Sequence, residues 1–168
     1  CMKIYIGIDN GVSGSLAFLA PPECATVFRT PCLKVKDYQK GAKRISRIHF
    51  SALRAMIFEE LTKASAPDAS HGFVLLERPM VNPLKFKASV SALRAHEATL
   101  IVLESLGIAY DYIDSRAWQK MFLPGVTGEA LKPASLDVAR RLFPKTDFGK
   151  LKDGDALLIA EYARRKNM

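Results

Sequence analysis

Four carboxylates stand where a folded chain could gather them. Asp9 closes the segment Lys3-Ile4-Tyr5-Ile6-Gly7-Ile8-Asp9, and Glu77 closes Phe73-Val74-Leu75-Leu76-Glu77. Each is an acid at the C-terminal end of an apolar, strand-like run, the place where open α/β sheets present ligand sites. Asp153 and Asp155 flank Gly154 and open a further apolar stretch. Taken singly these acids have ordinary uses: strand ends meet solvent, and Asp caps helix N-termini and complements the helix dipole. Taken together, four carboxylates from three distant segments suit hard divalent cations, because Mg²⁺ takes oxygen ligands and keeps several waters. Two ions about 3.5–4 Å apart can activate a water and stabilise the leaving oxygen of an in-line displacement at phosphorus. Phosphodiester hydrolysis is the chemistry this set predicts. Lys152 could then contact the scissile phosphate or its developing charge, or it could be a solvated loop lysine.

The elements that must position these residues follow from periodicity. Ile4, Ile6 and Ile8 alternate as in a strand, Gly11 and Gly14 mark a turn, and Ser15 to Ala20 and Ala25 to Thr30 read as two more strands of an antiparallel meander. Between Lys34 and Arg47 six cations (Lys34, Lys36, Lys40, Lys43, Arg44, Arg47) stand against the single acid Asp37, which predicts an exposed basic loop. From Ser46, the positions Ile48, Leu53, Met56, Ile57 and Leu61 recur at helical spacing, ending at Ala66-Pro67-Asp68. Phe73 to Leu76 is a continuous apolar run suited to a strand covered on both faces. A small-residue helix is expected from about Ala88 to Leu106, a strand from Ala109 to Ile113, a short helix N-capped by Ser115 and holding Trp118, and a helix with Pro133 in its first turn running to Phe143. The last helix, Asp153 to Lys166, has acids at its start and Arg164, Arg165 and Lys166 at its end, as the dipole favours. The expected architecture is an α/β layer with a mixed central sheet of about five strands flanked by helices.

Composition bounds the partners. The 168 residues carry 25 Lys plus Arg against 17 Asp plus Glu, a net charge of +8, with 49% hydrophobic residues. That is the size and balance of one folded domain, residues 1–168 as a single unit, and it excludes general disorder. The positive excess favours a polyanion and would draw in a backbone that the carboxylates repel. No uncharged apolar run approaches the roughly 20 residues of a membrane span, and no secretory pattern opens the chain, so no membrane partner and a cytoplasmic location are expected. Three cysteines without CxxC spacing suggest neither a disulfide framework nor a zinc site; Cys1 precedes a plausible initiator, Met2, which leaves open whether Cys1 is native.

Three segments in order, Gly7-Ile8-Asp9-Asn10-Gly11-Val12-Ser13-Gly14-Ser15, Leu75-Leu76-Glu77-Arg78-Pro79 and Lys152-Asp153-Gly154-Asp155-Ala156-Leu157-Leu158-Ile159-Ala160, resemble the RuvC family of Holliday-junction resolvases. Asp114 to Lys120 and Lys132 to Pro144 resemble segments of its phage and chloroplast members, so the similarity runs over nearly the whole chain. The resemblance implies a ribonuclease-H-like fold, a homodimer, dependence on Mg²⁺ or Mn²⁺, and paired nicks in opposing strands of a four-way DNA junction. Asp9, Glu77 and Asp155 match the family's metal-binding acids. Asp153 stands closer to Asp155 than the corresponding pair in many relatives, so either the loop is shorter or one of the two does not ligate.

The stretch after Glu77 mixes cations with apolar side chains: Arg78, Met80, Lys85, Phe86 and Lys87. Cations could hold phosphates while Met80, near the family's wedge position, or Phe86 enters between bases; Phe86 is equally suited to pack into the following helix. Lys40, Lys43 and Arg44 in the basic loop are candidates for a further phosphate-binding surface. The helix from Ala88 is the expected dimer interface, matching the two-fold symmetry of a junction, and His96 and Trp118 on their helices read as structural. Two other classes compete. An actin-like or sugar-kinase-like ATPase also places an Asp-x-Gly such as Asp9-Asn10-Gly11 after its first strand, but needs a second lobe that 168 residues do not readily hold. A catalytically silent branched-DNA-binding module would not need the four acids.

Overall fold

The computed structural model describes residues 3–20, 24–37, 44–64 and 71–168. Its centre is a five-stranded mixed sheet with the first strand in the middle, the second and third strands on one side of it and two later strands on the other. Strands β1 (Ile4–Ile8), β2 (Ser15–Ala20) and β3 (Cys24–Arg29) form the expected antiparallel meander. Strands β6 (Gly72–Glu77) and β7 (Ala109–Ile113) then add in parallel to β1, each reached through a helix as parallel pairing requires.

Alternation along β1 divides the core in two. Ile4, Ile6 and Ile8 join Val74 and Leu76 of β6 on one face, beneath Leu53 and Ile57 of α1 (Phe50–Lys63) and Val102 and Leu103 of α2 (Phe86–Leu106). Tyr5 and Leu75 face the other way, against Trp118 of α3 (Ser115–Phe122), Ala139 of α4 (Leu131–Leu142) and the apolar residues of α5 (Asp155–Arg165). Covering on both faces explains why β6 reads as an uninterrupted apolar run. Helix α5 is buried over most of its length, and Leu157, Leu158 and Ile159 are fully inside. Each is worth roughly 2 kcal/mol relative to exposure.

Three sequence expectations change. The basic stretch is not wholly a loop: β4 (Cys32–Lys36) and β5 (Arg44–Ile48) form a separate antiparallel hairpin. Half-buried Leu33, Val35 and Ile45 alternate there with exposed Lys34, Lys36 and Arg44, a period of two hidden by the density of charge. Ile48 consequently ends a strand, and α1 starts at Phe50 with His49 as its cap, whose ring Nδ1 accepts from the Ala52 N–H. Ser115 is the first helical residue of α3 and not its cap; Asp114 holds the cap position without a side-chain hydrogen bond and lies 3.5 Å from the Arg78 guanidinium. Among the described residues, no helix is long and apolar enough to cross a membrane.

Candidate metal centre

Strand register sets the first pair of acids side by side. Ile8 of β1 is paired with Leu76 of the parallel β6, so Asp9 and Glu77, the next residue of each, leave adjacent strands together. Their carboxyl groups share a hydrogen bond. The second pair is delivered by α5, which lies close on β1 because Gly7 has no side chain: a Cβ there would sit 1.9 Å from the Ala156 carbonyl oxygen. Gly154 meets α4 in the same way, where a Cβ would come within 2.6 Å of the Ser135 carbonyl oxygen. These two approaches carry Asp155, the first residue of α5, and the preceding Asp153 to the end of β1. One carboxylate oxygen from each of Asp9, Asp153 and Asp155 lies within 4.8 Å of the others. All four acids named from the sequence meet at one end of the sheet.

Like charges held together out of water resist ionisation. Burial, then the neighbouring Glu77 and Asp153 carboxylates, push Asp9 up to about 8. Burial, then Asp153 and Asp9, push Asp155 up to about 7, against the Ser135 hydroxyl, whose hydrogen bond favours the charged form. Glu77 is raised by burial, partly opposed by the Trp118 indole, whose Nε1 donates to its Oε1 at 3.0 Å. Lys132 at the start of α4 places its ammonium 2.8 Å from Asp153 Oδ2, and that hydrogen bond raises the lysine above its ordinary value. A set of hard oxygen donors whose mutual repulsion one lysine only partly neutralises fits a divalent cation.

Trp118, Lys132 and Ser135 are the site residues that sequence reasoning passed over. Lys132 and Ser135 are three apart on one helix and so share a face, and that spacing was the available signal. Trp118 is core, as expected, but its indole also orients Glu77. Lys152 is exposed and lines the same cavity as Lys132 and Asp153.

On the α2 side of the carboxylates, a cavity of about 330 Å³ is lined by Asn10, Glu77, Arg78, Met80, Lys85 and Ser89, among others. Met80 is 78% and Phe86 72% exposed, and neighbouring Leu84, unremarked in the sequence, is 95% exposed. Phe86 therefore does not pack into its helix. Arg78, Lys85 and Lys87 are exposed, as is Arg44 on the hairpin, whereas Lys40 and Lys43 lie outside the described residues. His96 packs against Tyr112 with ring centroids 5.5 Å apart and the rings tilted by 37°.

No protein-family model and no curated protein matches the chain. Solved structures do. Thermus thermophilus RuvC in complex with Holliday junction substrate matches at TM-score 0.59 and 15% identity, covering 98% of this chain and 96% of that one. A second Thermus thermophilus RuvC structure matches at TM-score 0.52 and 14% identity, over 98% and 97% of the two chains. The fold is the ribonuclease-H-like fold of RuvC, from near one end of the chain to near the other.

Proposed function

We propose that this chain is a single nuclease domain that hydrolyses phosphodiesters in branched DNA, with the four-way junction as its substrate and a divalent metal as its cofactor. The observation that carries this is the meeting of Asp9, Glu77, Asp153 and Asp155, from three segments, at one end of the sheet. These four would hold Mg²⁺ or Mn²⁺, two ions per site, and such ions when bound supply an activated water and neutralise charge on the phosphate. The chain's own groups do the positioning. Trp118 fixes the Glu77 carboxylate through Nε1, Ser135 steadies the turn into α5 by accepting from the Gly154 N–H, and Lys132 holds the Asp153 carboxylate while setting a positive charge beside the phosphate. Lys152 stands where a second cation could reach the same strand.

Beyond the carboxylates, Arg78, Lys85, Lys87 and, further out, Arg44 would hold backbone phosphates. Met80, Leu84 and Phe86 present the apolar surface that wedges into unstacked bases. Leu93 and Ile101, both nearly half-exposed on α2, support a homodimer through that helix, one centre for each of two strands. The test is cleavage of synthetic four-way, three-way and linear duplexes with and without Mg²⁺. Metal-dependent, paired nicking of the four-way junction is expected. Cleavage indifferent to metal or branch would refute the proposal, and ATP hydrolysis without DNA cleavage would favour the ATPase alternative.

A further inference from the structure

The four carboxylates have open space on two sides, and on the side away from α2 only Lys132 and Lys152 have so far been given work. We propose that the cavity on the other side is a second phosphate subsite, which grips a phosphate of the cut strand adjacent to the scissile one. The inference rests on the nuclease reading above and deepens it. The cavity measures about 560 Å³ and is bounded by Gly14, Arg29, Thr30, Lys132, Lys152 and Asp153, among others. Lys132 and Asp153 belong equally to the carboxylate centre, so the two sites share a wall, and a strand lying across one passes over the other.

Its chemistry selects a phosphate. Arg29, Lys132 and Lys152 bring three cations to one space, while its single carboxylate, Asp153, is already paired with Lys132. Its lining includes no aromatic ring on which a base could stack. The walls are tied down: the Arg29 guanidinium donates through Nη2 to the Lys150 carbonyl at 3.0 Å, which links the end of β3 to the loop carrying Lys152, and the Thr30 N–H donates to the Gly14 carbonyl at 3.0 Å.

Arg29 and Lys152 are the charge-assisted donors for a phosphate oxygen entering the cavity. The Thr30 hydroxyl, buried behind this wall, does not reach the open space and takes no part in the grip.

The test uses the full chain and a four-way junction carrying a single uncharged methylphosphonate at each phosphate flanking the cut, one position at a time. Binding is read by fluorescence anisotropy in EDTA, and KM and kcat are read in Mg²⁺. For the wild-type protein, one flanking position is expected to lose about tenfold in affinity, the scale of one charge-assisted contact. Arg29→Gln and Lys152→Gln should each weaken binding of the unmodified junction, raise KM more than they lower kcat, and blunt the response to that same methylphosphonate. Lys152 is exposed, so its variant stays interpretable even where losing the Arg29 hydrogen bond to the Lys150 carbonyl disturbs folding. A wild-type protein that cuts the junction yet senses neither flanking substitution, or variants whose losses simply add to it, would overturn the subsite alone. A wild-type protein that neither binds nor cuts branched DNA would overturn the nuclease reading and the subsite with it.

Discussion

Replacing Asp9 with Asn should make the metal-free protein more stable while ending its activity. In the folded chain Asp9 is pushed up to about 8, by burial first and then by Glu77 and Asp153, from an ordinary 3.8. The unfolded chain pays no such penalty, so at pH 8 folding must either load a proton onto the group or confine its charge among like charges. A gap of about four pH units at 1.36 kcal/mol each sets an upper bound of about 5–6 kcal/mol. Glu77 shares the proton with Asp9, and the site can admit water, so a realistic relief is about 1–3 kcal/mol. For a domain of 168 residues, where 1 kcal/mol moves Tm by about 2–4 °C, Asp9→Asn should melt about 2–10 °C higher in EDTA at pH 8. The advantage should shrink toward pH 4, where the wild-type group takes up its proton in both states. Adding Mg²⁺ should raise the Tm of the wild type more than that of the variant, and junction cleavage should vanish while binding persists. Scanning calorimetry across pH, with and without EDTA, checks each part. A variant no more stable than wild type in EDTA at pH 8 would refute the claim that these carboxylates are held together against repulsion.

The same electrostatics set the pH dependence of the metal-free wild type. Asp9, Asp155 and Glu77 all have folded values above their unfolded ones, so the stability they confer is complete below about pH 4 and is lost as pH climbs through 7 to 8. Tm in EDTA should fall across that window, and saturating Mg²⁺ should flatten the fall; a Tm that rises from pH 5 to 8 in EDTA contradicts it. Gly7→Ala drives a methyl group to 1.9 Å from the Ala156 carbonyl oxygen and 2.5 Å from the Ala160 nitrogen, backbone atoms that cannot step aside, so denaturant titration should show a loss of about 3 kcal/mol or more. A cost below about 1 kcal/mol would mean α5 does not lie on β1 as described. Trp118→Phe removes the donor to Glu77 and should weaken Mg²⁺ or Mn²⁺ binding by about 10–100-fold, read by calorimetric titration; an unchanged isotherm would show that the indole only fills space.

What the sequence disclosed and what it hid divide by range. The meander, β6, β7 and the helices were legible because alternation, helical spacing and Gly or Pro breaks are local signals. Asp9 and Glu77 were legible for a related reason: an acid ending an apolar run is visible without knowing which strands pair. The hairpin of β4 and β5 was hidden because its outward positions are lysines and arginines, whose charge reads as a loop unless the half-buried Leu33, Val35 and Ile45 between them are weighed. Trp118 and Lys132 were hidden more deeply, since the first meets Glu77 across 41 residues and the second meets Asp153 across 21. Pairings of that kind exist only once the sheet has stacked α3 and α4 beneath the strand ends.

Packing also explains why the repulsion survives folding. Four acids on a loose scaffold would spread apart until water screened them. Here Asp9 and Glu77 leave paired strands, and Asp155 starts a helix whose next eight residues include Ala156, Leu157, Leu158, Ile159, Ala160 and Ala163, all buried against the sheet. Moving Asp155 away by even a small distance would drag that apolar row off β1, at roughly 2 kcal/mol for each large side chain uncovered, which exceeds what separating two partly screened carboxylates returns. The acids therefore stay close, and two ways remain to relieve them: a bound proton, which the raised values of Asp9 and Asp155 express, or a bound cation. Under the proposed metal role, affinity for a divalent ion would thus have its source in the fit of small residues between α5 and β1. Gly7→Ala should accordingly weaken metal binding in whatever fraction of molecules still folds.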